Sequence, residues 1–202
     1  RGVVAYRNIQ HQQHSSRHFT EFLLDELGQV GCRRRNLDPF LMLDHFSSDN
    51  PDDYIAGFPD HPHRGFITFT YMLDGHLEHQ DSMGSGGVLR PGDVQRMSAG
   101  TGVLHSEFNH SKEESVRFLQ IWIRPDKKGA PPRHEDTSFP VKDKRGELVL
   151  IASPDARDGS LAIHQDVNAY ASILDAGRRL DYRLRPDRHA WIQVARGRLR
   201  VN

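Results

Sequence analysis

Apolar positions along this chain recur in short runs of alternating or β-branched residues, and helical signals are scarce. The clearest runs cover residues 65–73, 86–89, 116–123, 147–151, 169–174 and 190–194. Gly, Pro, Asp and Asn separate them. Short runs bounded by turn residues predict strands. Asp74-Gly75 and Pro91-Gly92-Asp93 read as turns between strands. Pro91 has no amide proton to give a ladder, which keeps it in the turn. Many closely spaced short strands predict an all-β barrel or sandwich.

Residues 125–145 are polar and rich in proline, glycine and charge. They read as a linker between an N-terminal unit, 1–124, and a C-terminal unit, 146–202. The halves share a weak repeat. The segment from Tyr71 to Leu77 around Gly75 resembles that from Val194 to Leu199 around Gly197. The offsets that lead back from Gly75 to His61 and His63 lead from Gly197 to Arg183 and Arg185. Arginine cannot ligate a cation, so the second half is expected to lack the metal chemistry of the first.

That chemistry rests on two motifs. His61-Pro62-His63 and His105-Ser106-Glu107 each place two ligand-type side chains at i and i+2. On an extended strand such residues point the same way. His61, His63, His105 and Glu107 can then meet at one point from two strands. Three imidazoles and a carboxylate suit a first-row divalent transition metal, and four protein ligands leave about two positions of an octahedron open. Structural zinc more often recruits cysteine. Gly100 and Gly102 are read as shaping a tight turn before His105. Arg64 reads equally as a pocket-mouth residue or a charged strand-edge residue. His76 and His79 flank the hairpin at Asp74-Gly75 and are read as surface or supporting residues. His11, His14, His18, His110 and His134 fall in polar or loop-like sequence and are expected to have no special role.

Composition narrows the alternatives. The 202 residues suffice for one large β domain or two smaller ones. Lys plus Arg and Asp plus Glu both number 27, a balance that gives no argument for nucleic acid or an anionic membrane. The arginines at 33–35 read as a solvated loop. Cys32 is the single cysteine, so no intrachain disulfide can form and a cytoplasmic setting is expected. No apolar run approaches membrane-spanning length. The sequence starts at Arg1 and stops at Asn202, just after the second hairpin, so terminal residues or further strands are expected beyond it.

Asn36-Leu-Asp-Pro-Phe40, Phe58-Pro-Asp-His-Pro-His-Arg-Gly65, Glu78-His-Gln-Asp-Ser-Met-Gly84 and the segment 97–109 together resemble the pirin family of the cupin superfamily. Gln120-Ile-Trp-Ile123 and the segment 153–161 extend the likeness to bacterial pirin-like quercetinases. The resemblance implies a bicupin of two antiparallel jelly-roll barrels, the second incomplete here, with metal in the first only. It implies His61, His63, His105 and Glu107 as ligands and Fe(II) as the metal; Ni, Co, Mn, Cu or Zn would also accept these donors. Ile67 and Thr68 stand where the general cupin pattern and many pirins carry a glutamate, so surroundings drier than usual are expected near Ile67. The implied activity is opening of a flavonol such as quercetin by dioxygen, with Glu107 taking the 3-hydroxyl proton. The alternative is a redox-sensitive regulatory protein that works through a protein partner.

Overall fold

The computed structural model describes residues 3–6, 19–27, 38–48 and 57–201. Cys32, the arginines at 33–35, and His11, His14 and His18 lie outside the described residues. The strands in chain order begin with β1 (Val3–Tyr6), β2 (Phe19–Leu27) and β3 (Phe40–Ser48). Next come β4 (Phe58–His63), β5 (Ile67–Asp74), β6 (Leu77–Asp81), β7 (Gly86–Leu89) and β8 (Asp93–Ser98). They are followed by β9 (Val103–Asn109), β10 (Val116–Ile123) and β11 (Arg133–Ser138). The last group is β12 (Val149–Ser153), β13 (Leu161–Ala162), β14 (Val167–Asp175) and β15 (His189–Arg196), preceded by one short helix, α1 (Val141–Lys144). The chain is thus all-β in class, as its apolar periodicity predicts. Among the described residues no helix is long and apolar enough to cross a membrane.

Two compact units emerge: an inserted unit, Cys32–Ser138, and a split unit of Arg1–Gly31 with Phe139–Asn202. This division differs from the expected 1–124, 125–145 and 146–202. The segment read as a linker contains β11, which pairs with β8 from Arg133↔Ser98 to Ser138↔Asp93. The opening residues group with the C-terminal half because β2 lies between β14 and β15 and pairs antiparallel with both. Arg183 and Arg185 are exposed and lie outside any strand, so the repeat does not reproduce β4 there.

The inserted unit consists of a five-stranded sheet, β11-β8-β5-β10-β3, and a four-stranded sheet, β4-β9-β6-β7. Met72 on β5, Val116 and Phe118 on β10, and Leu77 and Leu89 on β6 and β7 form a buried cluster, against which Phe46 of β3 packs. Residues from both sheets meet there, so the sheets pack face to face. Each fully buried side chain of this type contributes about 1.5–3 kcal/mol. Arg96 on β8 is fully buried; its guanidinium donates to Ser98 Oγ at 3.0 Å and pairs with Glu135 of β11. That pair joins the edge strand to its neighbour and fixes which side chains of β11 turn inward.

The split unit forms one six-stranded sheet, β1-β15-β2-β14-β12-β13. Its β1–β15 and β12–β13 pairs are parallel. Leu174 and Ile192 are buried beneath Leu148, Tyr170, Tyr182 and Val194.

Candidate metal centre

The four-stranded sheet positions the candidate ligands. On β9, His105 and Glu107 are buried while Leu104 and Phe108 are exposed, so the ligand-type residues share the inner face. On β4, His63 is buried and His61 half-buried. Register then does the alignment: His61 stands opposite His105, and His63 opposite Val103. A turn delivers β9 to this place. Gly100 has φ +52° and Gly102 φ +140°, conformations that favour glycine. The amide of Gly102 donates to the Ala99 carbonyl at 2.8 Å, which closes the turn.

His61, His63 and His105 each bring a ring nitrogen to within 4.8 Å of the others. His61 Nε2 and His105 Nε2 are 2.9 Å apart. Two nitrogens bound at right angles to one ion, each at about 2.1 Å, would stand about 3.0 Å apart. His61 Nδ1 lies 2.8 Å from the Pro59 carbonyl oxygen, which can accept its proton. With that tautomer, Nε2 keeps its lone pair for a ligand. His105 Nδ1 is buried without a hydrogen-bond partner.

Electrostatics points the same way. Burial, then the neighbouring His61, lowers the His63 pKa to about 4. Burial, followed by His61, His63, His79 and His134, lowers that of His105 to about 3. Both are neutral at pH 7, the form in which imidazole binds a metal. Burial raises the Glu107 carboxyl to about 7. A nearby cation would favour its ionised form.

Glu107 takes the expected face of β9, two residues from His105. Its carboxylate, however, is not among the donors that converge within 4.8 Å. The three imidazoles therefore fit a divalent ion directly, and Glu107 stands beside them as a buried acid. Ile67 and Thr68 are both buried on β5. Arg64 is exposed and lines a cavity of about 300 Å³ with Gly65, Thr101 and Lys128. His76 faces Glu114 at 3.6 Å and is partly exposed.

Aromatic rings surround the histidines. Trp122 of β10 meets His63 edge-on with centroids 5.7 Å apart. Phe66 lies 5.0 Å from His63 and 4.5 Å from Trp122. Phe58, 44% exposed, lies 6.3 Å from His61. A partly open aromatic wall thus borders the histidine cluster.

Sequence reasoning missed His134 and underrated His79. His134 is not in a loop: it lies on β11 with its ring 4.3 Å from that of His79. The available signal was spacing, because His79-Gln80-Asp81 and His134-Glu135-Asp136 repeat the i, i+2 pattern of the first two motifs.

Known proteins share this arrangement of sequence and fold. Residues 23–123 match the Pirin family, and residues 150–202 match the quercetinase C-terminal cupin domain. The chain is 44% identical over 155 residues to quercetin 2,3-dioxygenase of Escherichia coli K12, covering 75% of this chain and 65% of that protein. It thus spans less than two thirds of that relative's length. The crystal structure of YhhW from Escherichia coli superposes with a TM-score of 0.57 at 38% identity, covering 73% of this chain and 62% of that one. The same bacterial pirin in complex with nickel(II) gives a TM-score of 0.56 at 37% identity, covering 73% of this chain and 63% of that one. Together with the face-to-face sheets and the histidines on β4 and β9, these matches show that the chain belongs to the pirin family of cupin proteins.

Proposed function

We propose that this protein is a metal-dependent dioxygenase that opens flavonols such as quercetin with dioxygen. His61, His63 and His105 hold one divalent transition ion, Fe(II) or Ni(II), and Glu107 completes the set when the ion draws its carboxylate in. The observation that carries the reading is the 2.9 Å approach of His61 Nε2 and His105 Nε2. A bound ion would act as Lewis acid and template for the substrate's 3-hydroxyl and 4-keto oxygens.

The chain's own residues supply the rest. Burial holds the Glu107 carboxyl near a pKa of about 7, which suits a group that takes the 3-hydroxyl proton near neutral pH. Phe58, Phe66 and Trp122 offer ring surfaces to a flat aromatic substrate. Dioxygen adds across the heterocycle, which opens with release of carbon monoxide. The quercetin 2,3-dioxygenase name of the Escherichia coli relative supports the substrate class. A cytoplasmic setting accords with the single cysteine.

The test is to load metal-free protein with Fe(II) or Ni(II) and follow quercetin absorbance in air. Metal-dependent loss is expected, and His105→Ala should abolish it. Metal bound at one ion per chain with no loss on any flavonol would overturn the dioxygenase reading and favour a regulatory protein.

A further inference from the structure

The inserted unit contains a second cluster of metal-type donors, across β9 from the first. His79, His134 and Asp136 each bring a ligand atom to within 4.8 Å of the others. His79 comes from β6 of the four-stranded sheet, and His134 and Asp136 from the edge strand β11 of the other sheet. His79 stands opposite Glu107 on one side and Gly87 on the other. A β-carbon at Gly87 would stand 3.7 Å from His79 Nε2, so the strand on that side presents no side chain to the imidazole.

Three polar atoms here are buried without hydrogen-bond partners: His79 Nε2, His134 Nε2 and Asp81 Oδ2. His79 is 2% exposed, and the His134 side chain 7%. Leaving a polar atom unsatisfied in the interior costs about 1–3 kcal/mol. Asp81 is held in place, since its Oδ1 accepts from the amides of Met83 at 2.8 Å and Ser85 at 3.0 Å. That leaves Oδ2 as a spare acceptor near the pair. His79 and His134 are both less basic than usual, chiefly through burial, so their lone pairs are free at neutral pH. Two neutral imidazoles and two carboxylates offer more acceptors than the two ring N–H groups can satisfy, which is the composition of a cation site.

We propose that His79, His134 and Asp136, with Asp81 beside them, form a second site for a first-row divalent ion. With nitrogen and oxygen donors and no thiolate, it would take Zn(II), Co(II) or Fe(II). Because its ligands come from both sheets, the ion would clamp the edge strand β11 onto the sandwich. The site goes beyond the dioxygenase reading and shares no converging histidine with it.

The test titrates Co(II), under nitrogen, into the whole metal-free chain and follows visible absorption, bound cobalt after dialysis, and the thermal midpoint. Wild type should hold two ions per chain. His61→Ala/His63→Ala should hold one, and that ion should still raise the midpoint. Asp136→Asn, at the exposed rim, should weaken the second ion about 10-fold to 100-fold with an unchanged circular dichroism spectrum. His134→Gln should remove it. Failure of the folded His61→Ala/His63→Ala variant to bind cobalt overturns the proposal. So does an unaltered second equivalent in folded Asp136→Asn. Failure of the first site alone would appear differently, as a single equivalent in wild type that is unchanged in the His61→Ala/His63→Ala variant.

Discussion

The inserted and split units are both built from short β-strands and differ in how many ionisable side chains they bury. In the split unit the buried positions on β12, β14 and β15 hold Leu150, Ile151, Val167, Ile173 and Ile192, with Ser153, Asn168, Ser172 and Gln193 as their polar members. In the inserted unit the buried set includes His63, His79, Asp81, Arg96, His105 and Glu107. Buried ionisable groups are costly unless paired, neutral or bound to a metal. Among the described residues the split unit buries one such group, Lys144 of α1, while the inserted unit gathers several. The difference singles out the inserted unit as the seat of the proposed chemistry more sharply than any single motif does.

The contrast can be broken most directly at the metal. His105→Ala should weaken metal binding by more than about 100-fold, a larger loss than removal of an outlying partner of a ligand produces. Competition against a chelator measures it. Ile173→Ala, 2% exposed in the split unit, should cost about 3 kcal/mol of stability and leave the metal stoichiometry of the folded protein unchanged. Metal loss in that variant, while it remains folded, would show that the division is false.

Arg96→Met tests the inserted unit's own tolerance. Removing the guanidinium strands the Glu135 carboxylate; although partial burial pushes that acid up, the bond and charge of Arg96 hold it below its ordinary range. Denaturant unfolding should show a loss of about 2–3 kcal/mol, discounted because Glu135 is partly exposed.

Acid should act on the same unit. In the folded protein His63, His79 and His105 take protons only near pH 4, 4 and 3, against 6.5 for the ordinary group. The unfolded chain therefore binds more protons between pH 6.5 and 4, and the metal-free fold loses stability as pH falls through that window. Glu107, raised from 4.5 to about 7, acts in the opposite sense and destabilises the fold as pH rises between those values. With three groups against one, the thermal midpoint of metal-free protein should drop from pH 6.5 to pH 4.5. A flat profile would contradict the burial of these imidazoles. The smallest expected effect is at the turn before β9. Gly102→Ala demands φ +140° of a side-chain-bearing residue but meets nothing within 4 Å, at a cost of about 1–2 kcal/mol read by thermal unfolding.

Much of this was legible in the sequence where side chains alternate in polarity. The apolar runs at 86–89 and 116–123 coincide with β7 and β10 residue for residue. The paired spacings bring His61, His63 and His105 together because strand periodicity is two. Glu107 takes the right face, but its distance from the cluster depends on side-chain placement that periodicity does not specify. β11 escaped notice because Arg133 to Ser138 contains no apolar residue; its inward face carries His134 in place of an aliphatic side chain. The placement of β2 was invisible for another reason. Its partners lie at the far end of the chain, and no local pattern encodes a pairing at that distance.

That placement has a consequence for synthesis. A ribosome makes β2 first, yet β14 and β15, the neighbours that flank it, emerge only after the whole inserted unit has been made. At elongation rates of about 5–20 residues per second the wait is on the order of ten seconds. By its end the inserted unit is complete and free to fold, whereas β2 has waited throughout without either partner, an unpaired strand open to other chains.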